Sequence, residues 1–130
     1  MGIEPYLIAS SVLGFIAQRL VRVLCPACTS LAPAPPGLVE QFGLTTPPPA
    51  QLPIGKGCAA CKGTGFKGRT AIYEFLLLNP QVQQLILQRA SSGEITAVAQ
   101  RTGGMQRLRE DGWAKILQGR TTPQEVLRVT

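Results

Sequence analysis

The chain has 130 residues, 45% of them hydrophobic and only 5% aromatic, and it carries 13 basic against 7 acidic side chains for a net charge of +6. That length is one domain's worth of chain with a modest core, and the absence of histidine excludes Ser-His and Cys-His catalysis. The basic excess is compatible with nucleic acid, an anionic membrane surface, an acidic partner or a bound nucleotide.

The opening Met1-Gly2-Ile3-Glu4 has no basic lead-in, and the apolar run Tyr6 to Ala17 is too short to span a bilayer before Gln18, Arg19 and Arg22. Gly2 is no myristoylation signal, because Tyr6 sits where Ser or Thr is needed. A cytosolic, reducing compartment is therefore the expectation. Residues 5 to 24 read as a long helix: Pro5 suits the first turn, and Ala9, Leu13, Ile16, Leu20 and Leu24 recur at helical spacing. Ser11, Gln18 and Arg22 give it a narrow polar face, so so much apolar surface implies packing against something else.

Two C-x-x-C pairs follow, Cys25-Pro26-Ala27-Cys28 and Cys58-Ala59-Ala60-Cys61, and they contain every cysteine of the chain. Each pair lets one tight turn present two sulfurs to the same ion, and two turns complete a closed four-thiolate shell. A closed shell leaves no position for water, so Cys25, Cys28, Cys58 and Cys61 predict a structural zinc site and not a catalytic one. A reducing compartment favours metal over disulfides. No βαβ context supports a thioredoxin-like redox pair, and the ferredoxin spacings of iron–sulfur proteins are missing. The 29 residues between the pairs are rich in proline (Pro33, Pro35, Pro36, Pro47, Pro48, Pro49 and Pro53), which predicts loop with one short turn around Leu38 to Phe42. A metal would clip the ends of that loop.

Gly63-Thr64-Gly65-Phe66-Lys67-Gly68 spells G-x-G-x-x-G, but a cysteine turn precedes it and a strand-like segment follows, the reverse of a dinucleotide site. Its glycines are expected to turn the chain tightly beneath the metal. No phosphate-binding loop is present: Lys56 follows Gly55, but Ala50 and Gly57 occupy the positions where glycine and a hydroxyl residue belong. Lys56, Lys62, Lys67 and Arg69 surround the second pair, with no acid from Gln41 to Tyr73. A zinc tetrathiolate carries a net −2 charge, so compensation accounts for these cations; the rival is a zinc-ribbon module that binds nucleic acid. Phe66 is the only aromatic on that surface, which argues against the rival.

Residues 69 to 78 are strand-like. Asn79 then caps a helix with Pro80 at its first position, and Val82, Leu85, Ile86 and Arg89 mark its faces. Ser91 with Glu94 makes a capping box for a further helix that ends at Gly103-Gly104. Another runs from about Met105 to Gln118 and closes at Gly119, with Leu108, Trp113, Ile116 and Leu117 inward. Glu110-Asp111 reads as a solvated pair, because neighbours on a helix point different ways. Thr122 and Glu125 form a second capping box opening the last helix. The fold class is α+β: long N-terminal helix, zinc-clipped Pro-rich loop, short β segment and a small C-terminal helical bundle. The divisions expected are 1–24, 25–68 and 69–130.

Several segments together resemble the type II secretion and type IV pilus assembly ATPases: residues 1–11 continuing to Ala17-Gln18-Arg19-Leu20-Val21-Arg22, the paired knuckles, Gly65 to Glu74, Leu108-Arg109-Glu110-Asp111-Gly112, and the close from Thr122 to Thr130. The resemblance covers essentially the whole chain. It implies a bacterial hexameric motor in the cytoplasm, peripheral to the inner membrane and docked on a platform protein, whose ATP hydrolysis drives pilin or pseudopilin assembly. The family's phosphate-binding loop, Mg-holding and catalytic acids and histidine box lie upstream of the matched part. The chain would then be the carboxy-terminal portion, with Met1 an internal methionine, no catalytic or nucleotide-binding residues of its own, and ATP and Mg2+ belonging to the full-length protein. The resemblance places zinc on Cys25, Cys28, Cys58 and Cys61 and implies no nucleic-acid partner. A J-protein zinc repeat is a weaker likeness, since Cys25-Pro26-Ala27-Cys28 lacks the glycines that follow Cys61.

Overall fold

The computed structural model describes residues 13–103 and 105–130. In chain order the elements are β1 (Gly14–Leu24), β2 (Thr29–Pro33), α1 (Leu38–Phe42), β3 (Gln51–Gly55), β4 (Phe66–Leu77), α2 (Pro80–Leu87), α3 (Ser92–Arg101), β5 (Met105–Gln106), α4 (Leu108–Leu117) and α5 (Pro123–Val129). They make a three-stranded sheet of order β1-β4-β5 and a two-stranded ribbon of β2 with β3. The described residues divide into two compact units, one holding those up to Ala17 and those of Tyr73–Arg107, the other Gln18–Ile72 with Leu108–Thr130.

The first is a helical unit. Asn79 Oδ1 accepts the Val82 N–H at 2.9 Å and Pro80 follows at the first helical position, so α2 starts where its cap residue dictates. Ser91 Oγ accepts the Glu94 N–H at 3.2 Å and starts α3. Leu78, Val82 and Ala99 are buried between the helices, with Ile86, Ile95, Val98 and Met105 packed around them. Asn79 Nδ2 also donates to Thr102 Oγ1 at 2.7 Å, tying the start of α2 to the end of α3.

The second is a cysteine unit. Its core joins one residue or two from each of six elements: Val21, Leu38, Phe42, Leu52, Ile72, Ile116 and Val126. Phe42 of α1 meets Trp113 of α4 with ring centroids 5.3 Å apart and tilted by 42°, a favourable aromatic geometry. Arg109 of α4 donates from Nη1 to the Gln41 carbonyl at 2.8 Å and from Nε to Thr130 Oγ1 at 3.0 Å, so it braces α1 and the end of α5.

Four expectations need correction. The described part of the proposed helix over 5–24 is strand β1; residues 5–12 lie outside the described residues. Apolar side chains at three- and four-residue intervals suited a helix, but β4 supplies a strand partner, and pairing overrides a weak local propensity. The Pro-rich segment is not all loop. Thr29↔Gly55, Ser30↔Ile54, Leu31↔Pro53, Ala32↔Leu52 and Pro33↔Gln51 pair antiparallel, and proline is tolerated because a two-stranded ribbon leaves its outer edges unpaired. The turn expected at Leu38–Phe42 is helix α1, and its two ends bury Leu38 and Phe42. Each such burial contributes about 2 kcal/mol, more than the roughly 0.6 kcal/mol per doubling that loop length costs. The loop is thus held by its own core residues as well as at its ends.

The third correction lies at Met105. Met105 and Gln106 pair with Leu76 and Phe75, and the helix begins only at Leu108. Fourth, Leu117 is exposed, and the small Gly112 takes the inward place instead.

Candidate metal centre

The structure brings Cys25, Cys28, Cys58 and Cys61 together. Their four sulfurs all lie within 4.8 Å of one another. Three of the separations, Cys25–Cys58, Cys28–Cys61 and Cys58–Cys61, are 3.8 Å. A tetrahedron with metal–sulfur bonds of about 2.3 Å has edges of about 3.8 Å, so the donor set fits one four-coordinate ion. Disulfides would need sulfurs at about 2 Å, and a multinuclear iron–sulfur cluster would spread its thiolates over several metal atoms and push them farther apart.

Backbone turns place the sulfurs. Cys25 and Cys28 are joined by a Cys28 N–H to Cys25 carbonyl bond of 3.3 Å, and Thr29 Oγ1 donates to the same carbonyl at 2.7 Å. In the second knuckle Gly63 N–H donates to the Cys58 carbonyl at 2.9 Å and Thr64 Oγ1 to the Cys61 carbonyl at 2.8 Å. The two knuckles are joined to each other through Lys56 N–H to the Cys28 carbonyl at 3.2 Å and Cys25 N–H to the Gly65 carbonyl at 2.9 Å. Gly65 has φ 83°, and a Cβ there would stand 2.6 Å from the Gly55 carbonyl oxygen. Only paired glycines let the chain leaving Cys61 cross the end of β3 so closely.

Two N–H groups, of Cys58 and of Gly65, donate to the Cys61 sulfur, each at 3.2 Å. Burial pushes the Cys28 thiol up to about 11, opposed by the Gly57 N–H and reinforced by the neighbouring sulfurs. Burial acts the same way on Cys61, but the donations from Cys58 and Gly65 overcome it and hold that thiol down at about 6. The two N–H donors thus favour the thiolate form of Cys61, the form in which a cysteine takes a metal. Cys25 and Cys61 are buried, so an ion at the centre would be screened from water on that side.

The surroundings contain a residue pair that sequence reading missed. Arg22 of β1 places its guanidinium 4.2 Å from the Phe66 ring centroid and binds Glu125 of α5, Nη2 to Oε2 at 3.1 Å and Nε to Oε1 at 3.2 Å. Arg128 Nη2 reaches Oε1 of the same carboxylate at 2.6 Å. Half of the expected capping box is present, the Glu125 N–H donating to Thr122 Oγ1 at 3.2 Å, while the Glu125 carboxylate is turned to the arginines. Arg128 three residues after Glu125 was readable; Arg22, far upstream, was not. Asp111 pairs with Lys115 at 3.2 Å, so only Glu110 of the adjacent acids faces solvent unreservedly. Lys56, Lys62, Lys67 and Arg69 are exposed around the second knuckle. The Phe66 face that Arg22 covers is closed to a stacking base.

No helix among the described residues is long and apolar enough to cross a membrane. A family model for type II/IV secretion system proteins matches residues 1–128. The chain is similar along its whole length to type II secretion system protein E of Pseudomonas aeruginosa, 44% identical over 130 residues that make up 26% of that protein. It is 42% identical over 132 residues to the type IV pilus assembly ATPase PilB of Thermus thermophilus, covering 15% of it, and 41% identical over 130 residues to the type II secretion system ATPase E of Vibrio cholerae, covering 25%. The chain therefore spans about a quarter or less of the length of these relatives. With the family's pattern matched from end to end, and the four cysteines gathered as its sequence required, the chain belongs to the type II/IV secretion system protein family.

Proposed function

We propose that the chain is the carboxy-terminal, zinc-binding part of a cytoplasmic ATPase motor that powers type II secretion or type IV pilus assembly. In this reading Cys25, Cys28, Cys58 and Cys61 hold one structural Zn2+, and residues 25–68 form the subdomain around it. The full-length protein would bind ATP and Mg2+ through sequence outside this chain, assemble as a hexamer and dock on the platform protein of the inner membrane. The observation that carries the reading is the cluster of four thiols with tetrahedral edges in a chain of this family. Zinc suits it because this borderline ion binds soft thiolates well and a closed four-sulfur shell needs no open position.

The ion would keep the two knuckles in fixed register, so motion generated upstream reaches the platform without dissipating in the segment between them. A chimera tests this: the matching 130 residues of the Pseudomonas aeruginosa protein are replaced by this chain, and secretion is scored. Restored secretion by the wild-type chimera, lost when Cys58 and Cys61 are serine, is the expected outcome. An active chimera that keeps full secretion without those cysteines would sink the proposed role of the metal.

A further inference from the structure

The strand that delivers Cys25 is held by a segment from the far end of the chain. Leu24 N–H donates to the Arg120 carbonyl at 2.8 Å, Thr121 Oγ1 donates to the Arg22 carbonyl at 2.9 Å, and Arg22 N–H donates to Glu125 Oε1 at 3.0 Å. Residues 120–125 thus serve the edge of β1 over the three residues before the first knuckle. The Glu125 side chain is only 3% exposed, and it collects the Arg22 guanidinium and backbone together with the Arg128 guanidinium. Cys25 follows directly, fully buried, its N–H bound to the Gly65 carbonyl at 2.9 Å. Its backbone is pinned by the carboxy-terminal segment on one side and by the second knuckle on the other.

We infer that Glu125 is a positioning residue for the metal centre, acting through Arg22 to Leu24 on the place of the Cys25 sulfur. It touches no sulfur itself. The inference rests on the proposed metal site and adds a residue that the cysteine pattern does not contain. The energetics favour a local effect. Both guanidiniums are about half exposed, 47% for Arg22 and 56% for Arg128, so they regain water when the carboxylate is lost. The Arg22 backbone N–H loses an anionic acceptor, and the end of β1 is where the cost falls. Coupling of this kind is reciprocal: what α5 does for the ion, the ion does for α5.

The test uses the full chain loaded with one zinc and measures its release to a colorimetric chelator under native conditions. Glu125→Gln keeps the side-chain shape, and Thr121→Val removes the second tie to Arg22 without touching any charge. Ile116→Val, in the same core but part of neither tie, serves as a control for general destabilisation. Glu125→Gln is expected to release zinc about tenfold faster than wild type, at the lower end of what outer partners of metal sites contribute, and Thr121→Val by a smaller factor in the same direction. Ile116→Val should release at the wild-type rate. Release at the wild-type rate from both tie variants overturns the inference, and so does equal acceleration by Ile116→Val for the same fall in Tm. If Glu125→Gln fails to fold, Thr121→Val alone decides. A wild-type chain that takes up no metal defeats the metal reading itself, a result distinguishable from either.

Discussion

Gly112 and Val126 meet with no room for a methyl group between them. A Cβ at residue 112 would stand 2.5 Å from Val126 Cγ1 and 2.9 Å from Cγ2, and Val126 is fully buried with nowhere to retreat. A glycine in the middle of α4 costs helix stability, and the closeness of α4 to α5 is what the chain receives in exchange. Gly112→Ala should therefore destabilise the chain although alanine is the better helix former. The propensity gain is about 1 kcal/mol, against overpacking of about 1–3 kcal/mol. A fall in Tm of about 4 °C is expected by thermal denaturation, with Val126→Ala recovering part of it in the double variant.

Cys58→Ser with Cys61→Ser should remove one metal equivalent by elemental analysis of the reduced protein. Proteolytic sensitivity should rise first at the Thr29↔Gly55 end of the ribbon, which adjoins both knuckles. The Pro33↔Gln51 end should resist longer, because Leu52, Leu38 and Phe42 anchor it in the core. Unchanged metal content and unchanged cleavage would contradict the clip.

Asn79→Ala removes both the cap of α2 and the bond to Thr102. It should cost about 1 kcal/mol. Hydrogen exchange should quicken at the start of α2 and the end of α3 while the amides of α5 keep their protection.

Glu125 also sets an acid limit. Burial would raise its pKa, but hydrogen bonds from Arg128 and Arg22 outweigh that and bring it from 4.5 to about 2. The folded form thus holds its proton more weakly than the unfolded form. The stabilisation is complete above about 4.5 and is lost as pH falls towards about 2. Urea denaturation across that window, on metal-free reduced protein, should show a weaker pH dependence for Glu125→Gln than for wild type.

ATP hydrolysis and tight ATP binding should both be absent from the isolated chain, which has no phosphate-binding loop. Turnover by the pure chain, followed by phosphate release, would contradict the assignment of nucleotide chemistry to other parts of the protein.

What could be read from the sequence was local. Asn79, Ser91 and Thr122 each accept the N–H three residues on, because a cap is decided by neighbouring residues alone. The cysteine cluster was legible because each knuckle is a short turn with two sulfurs at fixed spacing. Strand β1 was not, since its apolar residues fit a helical interval as well and only the distant β4 selects between them. Glu125 reads as a cap residue from its neighbours, and its arginine partner lies 103 positions away in the chain. The ribbon was obscured by prolines, whose missing donors matter only where a second neighbour would have used them.

The crossing of main chain at Gly55 and Gly65 bears on anyone who would transplant this corner into another scaffold. Copying the four cysteines alone would carry over the ligands without the bend that aims them. A working graft must bring both glycines too, since any larger residue at either one wedges the strands apart before an ion can arrive.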